Sequence, residues 1–306
     1  MENKKDISFD RILIIYHRVD YDGLGSAAIT KEALKKYTTN PIDLFGYNYN
    51  DPIPDFDNYL AVYDAIFMVD ISFPKEIMIR LKESGKVVWI DHHITQITES
   101  EECGYSDMEG IRVNGTAACE LCWNYFNSGV EVPIPVLYLS HYDTWRHDVF
   151  NWEKEILAFQ YGLRAKYSLN AQKFTQEFQD ILQNYHDLIV SGEGVLEYLN
   201  NTWRGCVKGY AFEVMIADKH KGICMLTSTF GSSQFDSVKD QYDVYVCVNR
   251  KGPDVYNVSM YVNEKYEDFN AGEYLKANYG GGGHAGAAGG VLNLEQFVKL
   301  VHDCKI

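Results

Sequence analysis

The sequence predicts an α/β protein: an N-terminal domain with a mostly parallel sheet flanked by helices, a helical connector, and a smaller C-terminal α/β domain. Three observations lead there. Short apolar runs at residues 12–16, 65–69 and 87–90 have the length of buried strands, and each ends abruptly in polar residues. Residues 152–203 carry no strand pattern and few breakers, as joined helices do. From about Gly205 the strand patterns return, and a glycine-rich run occupies residues 280–289. These shifts divide the chain at 1–148, 149–204 and 205–306.

The first strand runs into His17-Arg18-Val19-Asp20-Tyr21-Asp22-Gly23. A helix is expected from about Gly23 through Ala27, Ala28, Ile29 and Ala33, its N-terminus facing the strand end. The second apolar run ends in Asp70 and the third in Asp91-His92-His93. A fourth short apolar segment, from Leu139, ends in Asp143. Residues 115–126, with Ala117, Ala118, Leu121 and Cys122, read as a helix that Asn114 could cap. In the C-terminal part, strands are expected at 210–216, 223–227, 244–248 and 255–262, and helices at 271–279 and 294–302. The run Gly280-Gly281-Gly282-Gly283-His284 is followed by Ala285, Ala287 and Ala288 and then Val291-Leu292. It lacks the polar residues of a linker, so a packed turn between helix and strand is expected. Consecutive glycines can also aim backbone N–H groups at an anion.

In parallel sheets, ligands bind beyond the carboxyl ends of the strands. A lone His-His pair is best read as a solvated loop, but three apolar runs ending in Asp and His point to one shared crevice. Asp20, Asp22, Asp70 and Asp143 bring four negative charges, which would repel and force some protonation unless cations neutralise them. Two divalent ions balance the charge, and His17 and His92 complete the coordination as neutral imidazoles. Carboxylate and imidazole without thiolate suit manganese, iron, cobalt or zinc better than calcium. Two such ions about 3.5–4 Å apart hydrolyse phosphate esters through a bridging hydroxide.

The four acidic motifs in order, followed by the glycine-rich GGGGH segment, resemble those of the DHH phosphoesterases that carry a DHHA1 domain. Asp91-His92-His93 resembles the name-giving motif, and Val258-Ser259-Met260-Tyr261 resembles the strand before the glycine run. The resemblance implies a metal-dependent phosphoesterase with its active site in the cleft between the domains. One ion, most simply Mn2+, would be held by His17, Asp20 and Asp70. The other would be held by Asp22, Asp70, His92 and Asp143, with Asp70 bridging. Asp91, His92 and His93 would form the catalytic group, with Asp91 orienting a neighbouring histidine and His93 meeting the scissile phosphate. Gly281, Gly282, Gly283 and His284 would hold the substrate, and Asn114 would touch the phosphate or cap the next helix. Relatives often carry an arginine where this chain has Ser259-Met260-Tyr261; Arg250 and Lys251 could replace it or be solvated loop charges.

Composition narrows the substrate. The chain has 306 residues, a 46% hydrophobic fraction and a formal net charge of −15. A surface that acidic repels long duplex nucleic acid, and no basic cluster offsets it. Small nucleotides or short single-stranded RNA are therefore the expected partners, with hydrolysis of inorganic pyrophosphate or polyphosphate, or a non-catalytic nucleotide-binding role, as alternatives. A homodimer is compatible with the sequence. No apolar run approaches the roughly 20 residues of a membrane span, and residues 1–6 lack the features of a signal peptide. The seven cysteines, Cys103, Cys119, Cys122, Cys206, Cys224, Cys247 and Cys304, are odd in number and dispersed. Reduced thiols in the cytoplasm are the simplest account, with Cys119-x-x-Cys122 in core packing. Among 23 tyrosines, Tyr21, Tyr47, Tyr49, Tyr142 and Tyr261 fall near the candidate segments.

Overall fold

The computed structural model describes residues 10–49, 51–226, 231–266 and 268–302. The expected strand residue Thr227, the extreme N-terminus and Cys304 lie outside them. The chain divides into two compact units, 1–196 and 197–306.

The first unit is built on a four-stranded parallel sheet of order β2-β1-β3-β4. Its strands are β1 (Ile12–His17), β2 (Ile42–Tyr47), β3 (Ala65–Val69) and β4 (Val87–Ile90). Between and after them run α1 (Tyr21–Leu34), α2 (Phe56–Val62), α3 (Lys75–Ser84), α4 (Ile94–Cys103), α5 (Ala118–Phe126) and α6 (Ile134–Asp143). Alternate side chains of a strand point to opposite faces, and both faces here are covered. Ile12, Ile14, Tyr16, Phe67 and Val69 pack on one side with Leu24, Ala28 and Leu121. Leu13, Ile15, Ile66, Met68 and Trp89 pack on the other with Met78, Leu81 and Tyr105. This two-sided burial explains why these strands read as continuous apolar runs.

Three details differ from the sequence reading. The strand β2 is an edge strand with a half-buried, mixed pattern, so it gave no apolar run. Asp143 is the last residue of a helix, α6, and does not sit at a strand end. The cap of α5 is Ala117, and Asn114 lies exposed three residues earlier, so it is not the helix cap.

Residues after α6 form a π-helical turn (Trp152–Leu157) and then α7 (Ala158–Tyr167), α8 (Ala171–Gln176), α9 (Phe178–Gln183) and α10 (Tyr185–Tyr210). The expected helical character holds. Ile156, Phe159, Leu163, Phe174, Phe178 and Ile181 belong to the same core cluster as α1 and β1. These helices are therefore part of the first unit's body, and the division between units falls within α10.

The second unit holds a six-stranded mixed sheet of order β5-β6-β7-β8-β10-β9. The strands are β5 (Phe212–Ile216), β6 (His220–Leu226), β7 (Val244–Gly252), β8 (Val255–Val262), β9 (Gly282–Gly283) and β10 (Ala287–Leu292), with α11 (Ala271–Tyr279) and α12 (Leu294–His302). Val246, Val258, Met260, Leu275, Leu292 and Leu300 form its core. Gly280 takes the left-handed conformation (φ 72°) that closes α11, as a C-terminal glycine does. A Cβ on Gly283 would lie 2.6 Å from Ala288 Cα, so the pairing of β9 with β10 requires glycine at that position. Among the described residues no helix is long and apolar enough to cross a membrane.

Candidate metal centre

Because β1, β3 and β4 are parallel neighbours, their carboxyl ends deliver His17, Asp70 and the Asp91-His92-His93 run to one edge of the sheet. Asp20 and Asp22 arrive from the start of α1. Asp20 is that helix's N-cap, its Oδ1 accepting from Gly23 N at 2.8 Å. A Cβ on Gly23 would fall 2.0 Å from the His17 carbonyl oxygen, so glycine is what lets the helix begin against the strand end. Asp70 has φ 59°, a left-handed backbone that is uncommon outside glycine. Its own N–H still donates to Ile90 O at 2.9 Å, and the turn directs its carboxylate into the site.

The resulting geometry has two lobes. His17 Nδ1 lies 2.7 Å from Asp20 Oδ2 and 3.6 Å from Asp70 Oδ2. His92 Nε2 lies 3.5 Å from Asp22 Oδ2, 3.3 Å from Asp70 Oδ1 and 3.2 Å from Asp143 Oδ2. Thus the two oxygens of Asp70 face different groups. His17, Asp20 and Asp70 could hold one ion, and Asp22, His92 and Asp143 another; Asp70, His92 and His93 form a third overlapping set.

The electrostatics fit a cation site. Asp22 and Asp70 are fully buried, and their pKa values are pushed well above the usual carboxylate range. For Asp22 the causes are burial and then the charges of Asp70 and Asp143; for Asp70 they are burial and then Asp20, Asp143 and Asp91, opposed by the His17 hydrogen bond. Burial also raises Asp143. Burial would lower the His17 pKa, but hydrogen bonds to Asp20 and Asp70 outweigh it and lift the value to about 10. Asp70 Oδ1 is buried without a hydrogen-bond partner, a costly condition in a protein interior. Crowded carboxylates and a buried acceptor without a partner are a donor set that divalent cations fit.

Asp91 is buried beneath this cluster. Its carboxylate accepts from Trp89 Nε1 at 3.1 Å and from the backbone N–H groups of His92 (2.7 Å) and His93 (3.2 Å), and it pairs with His93 Nδ1 at 2.7 Å. Asp91 therefore fixes one ring nitrogen of His93, Nδ1. Burial opposes protonation of His93, but the Asp91 hydrogen bond and the charges of Asp91, Asp70 and Asp143 raise its pKa to about 9.

A supporting network escaped the sequence reading. Both oxygens of Asp22 accept from the first turn of α5, Cys119 N at 2.7 Å and Ala118 N at 2.9 Å. Helix N-termini favour such anions. Arg146 donates to Glu120 Oε2 (2.7 Å), Ser140 Oγ (2.6 Å) and Thr144 Oγ1 (3.0 Å), tying the end of α6, which carries Asp143, to the start of α5. Its only sequence signal was proximity to Asp143. Arg146→Ala is expected to weaken ion binding at the Asp22–His92–Asp143 set by about 10–100-fold, and the His17–Asp20–Asp70 set much less. Calorimetric titration would read both, and equal weakening at the two sets would contradict a local positioning role.

Other candidates lie elsewhere. His141 is buried against Phe150, and His147 stacks on Trp152 at 3.9 Å. Cys119 and Cys122 are buried free thiols in the core, as expected. Within the second unit, His284 is exposed and its backbone N–H donates to Ala287 O at 2.8 Å. Gly281 N donates to Leu275 O at 3.1 Å, so this amide closes α11 and is not free for an anion. Gly282 and Gly283 pair with β10. Arg250 turns back on its own hairpin, with Nε 2.9 Å from Gly252 O and a terminal nitrogen 3.2 Å from Pro253 O, which occupies the fork an anion would need.

Residues 11–141 match the DHH family, N-terminal domain. Over 317 aligned positions the chain is 24% identical to oligoribonuclease NrnB from Bacillus subtilis (strain 168), covering 94% of this chain and 74% of that protein. Its fold is shared with a pGpG-specific phosphodiesterase, PggH, from Vibrio cholerae (TM-score 0.58, 11% identity, 94% of this chain and 95% of that one). It is likewise shared with a DHH-domain protein described as a member of the S1p family of ribosomal proteins (TM-score 0.58, 17% identity, 97% and 87%). With the Asp91-His92-His93 motif at the end of β4 and the acidic cluster around it, residues 11–141 carry the N-terminal domain of the DHH family.

Proposed function

We propose that this enzyme is a two-metal hydrolase that cleaves P–O bonds in short nucleotides: short oligoribonucleotides, dinucleotides or 3′-phosphoadenosine nucleotides. The observation that carries the reading is Asp70, whose Oδ2 faces His17 and whose Oδ1 faces His92, the arrangement a bridging ligand requires. His17 and Asp20 would complete one ion's protein ligands, and Asp22, His92 and Asp143 the other's. Manganese fits the mixed oxygen and imidazole donors. When bound, the ions would polarise the phosphoryl oxygens and make water nucleophilic near neutral pH.

The chain's own residues supply the rest. His93, held by Asp91 at Nδ1, carries a proton at Nε2 that it can donate to a phosphoryl or leaving-group oxygen. That donor is the imidazolium, protonated at both ring nitrogens, which the Asp91 carboxylate stabilises and holds in orientation. We assign residues 205–306 as a DHHA1-type substrate-binding domain, in which exposed His284 and the adjoining glycines Gly282 and Gly283 meet the nucleotide. The named activities of the relatives, an oligoribonuclease and a pGpG phosphodiesterase, support the substrate class, and the −15 net charge supports small substrates over duplex nucleic acid. The dispersed cysteines support a cytoplasmic enzyme.

Chromatographic product analysis with manganese tests this reading. The panel holds a 3′-phosphoadenosine nucleotide, di- to pentaribonucleotides, cyclic dinucleotides and pyrophosphate. Mononucleotides released from the short RNAs, or phosphate from the 3′-phosphoadenosine nucleotide, are the expected results. Phosphate released from pyrophosphate alone would overturn the nucleotide assignment, and nucleotide binding without turnover would leave a regulator in place of an enzyme.

A further inference from the structure

The register of β2 against β1 places Tyr47 opposite His17, so the chain leaving β2 emerges beside the metal centre. Asn48 Oδ1 lies 3.3 Å from His17 Nε2 and accepts from Tyr49 N at 3.0 Å. Asp51 accepts from Asn48 N at 2.9 Å and is gripped by both arms of Arg18, at 3.1 and 2.7 Å. Asn48 and Asp51 are therefore fastened to the residue that follows His17. The ring of Tyr49 has its centroid 5.7 Å from that of His17 and 6.5 Å from that of His93, nearly perpendicular to the latter at 80°. Its hydroxyl end is the buried end, and burial pushes that group's pKa up. Yet the residue is 46% exposed.

Tyr49 belongs to neither core cluster of the first unit. Trp145, another exposed aromatic of the first unit, rests on His147 and Trp152. Tyr49 touches instead the imidazole of a candidate metal ligand and the imidazole assigned to the phosphate. A phosphate held at His93 would bring its own base within reach of that open ring face.

We propose that Tyr49 is a stacking platform for the nucleobase adjoining the scissile phosphate, a specificity-determining contact that selects nucleotides over base-free phosphoesters. It rests on the nucleotide reading above. The backbone hydrogen bonds at Asn48 and Tyr49 place the ring before substrate arrives, so little conformational freedom is lost on binding. Stacking of this kind tolerates any base, so the platform favours nucleotides without imposing a sequence.

The test compares the linear diadenylate pApA with two abasic counterparts, one lacking the 5′ base and one lacking the 3′ base. The wild type should prefer pApA over at least one abasic form. In Tyr49→Ala that preference should fall by about 5- to 100-fold, chiefly through KM, while Tyr49→Phe retains it. Calorimetric binding of adenosine 5′-monophosphate should weaken in parallel in Tyr49→Ala. Damage to the metal centre would slow all three substrates alike, so an equal loss on all three would overturn the stacking role. A wild type indifferent to either base would overturn it too. A wild type that cleaves no pApA would remove the nucleotide reading itself, and that is seen before any variant is made.

Discussion

Asp70→Ala is expected to abolish turnover, with a loss on the order of 10³-fold or more, since metal assistance contributes several kcal/mol to such a reaction. The fold should survive. Asp70 sits in a turn beyond β3 whose backbone hydrogen bond to Ile90 does not need the side chain, and its Oδ1 makes no hydrogen bond that the substitution would strand. Removing a buried carboxylate that faces Asp20 and Asp143 also relieves repulsion in the metal-free protein. The account therefore requires loss of activity without loss of stability, read by kinetics beside thermal unfolding. Wild-type turnover in Asp70→Ala would contradict the bridging role.

The second large effect concerns stability. Asp22 and Asp70 hold pKa values well above those of unfolded carboxyls, so in the metal-free protein their ionisation disfavours the folded state. The histidines act in the same direction. His17 and His93, raised to about 10 and about 9, contribute stability that is fully present below the unfolded histidine pKa of about 6.5 and is lost as pH rises through those folded values. Metal-free protein should therefore melt at lower temperature at pH 9 than at pH 6. Manganese reverses the carboxylate penalty because its ligands must be ionised. At a hundredfold excess over its Kd, an ion stabilises by about 2.7 kcal/mol, which for a unit of this size raises Tm by about 5–10 °C. Scanning calorimetry at pH 8 with and without manganese reads the shift. An unchanged Tm would mean that the cluster does not bind the ion.

Much of this site was legible before the fold was known. Strands buried on both faces leave continuous apolar runs, and in a parallel sheet whatever follows such runs gathers at one edge. That made His17, Asp20, Asp22, Asp70, His92 and His93 readable from their positions alone. Asp143 was found as an acidic residue after an apolar segment, but its helix was not, because a short apolar run does not separate strand from helix. The edge strand β2 was illegible for the opposite reason: with one side open, its residues alternate too weakly to stand out, and Tyr49, which β2 positions, stood out only as one of five tyrosines near the candidate segments. Arg146 was hidden because its partner Glu120 is 26 residues away in sequence and meets it only through the packing of α5 against α6. Arg250 shows the limit of charge-based reading. An arginine at a strand end was a reasonable anion ligand, yet its guanidinium is engaged by the hairpin it closes.

The central claim is that Asp70 joins two ions in one centre. Manganese titration followed by electron paramagnetic resonance tests it most directly. The account predicts two ions per chain with an exchange-coupled spectrum, and loss of that coupling in Asp70→Ala. A single ion per chain, or two ions whose spectrum is that of isolated manganese, would contradict it.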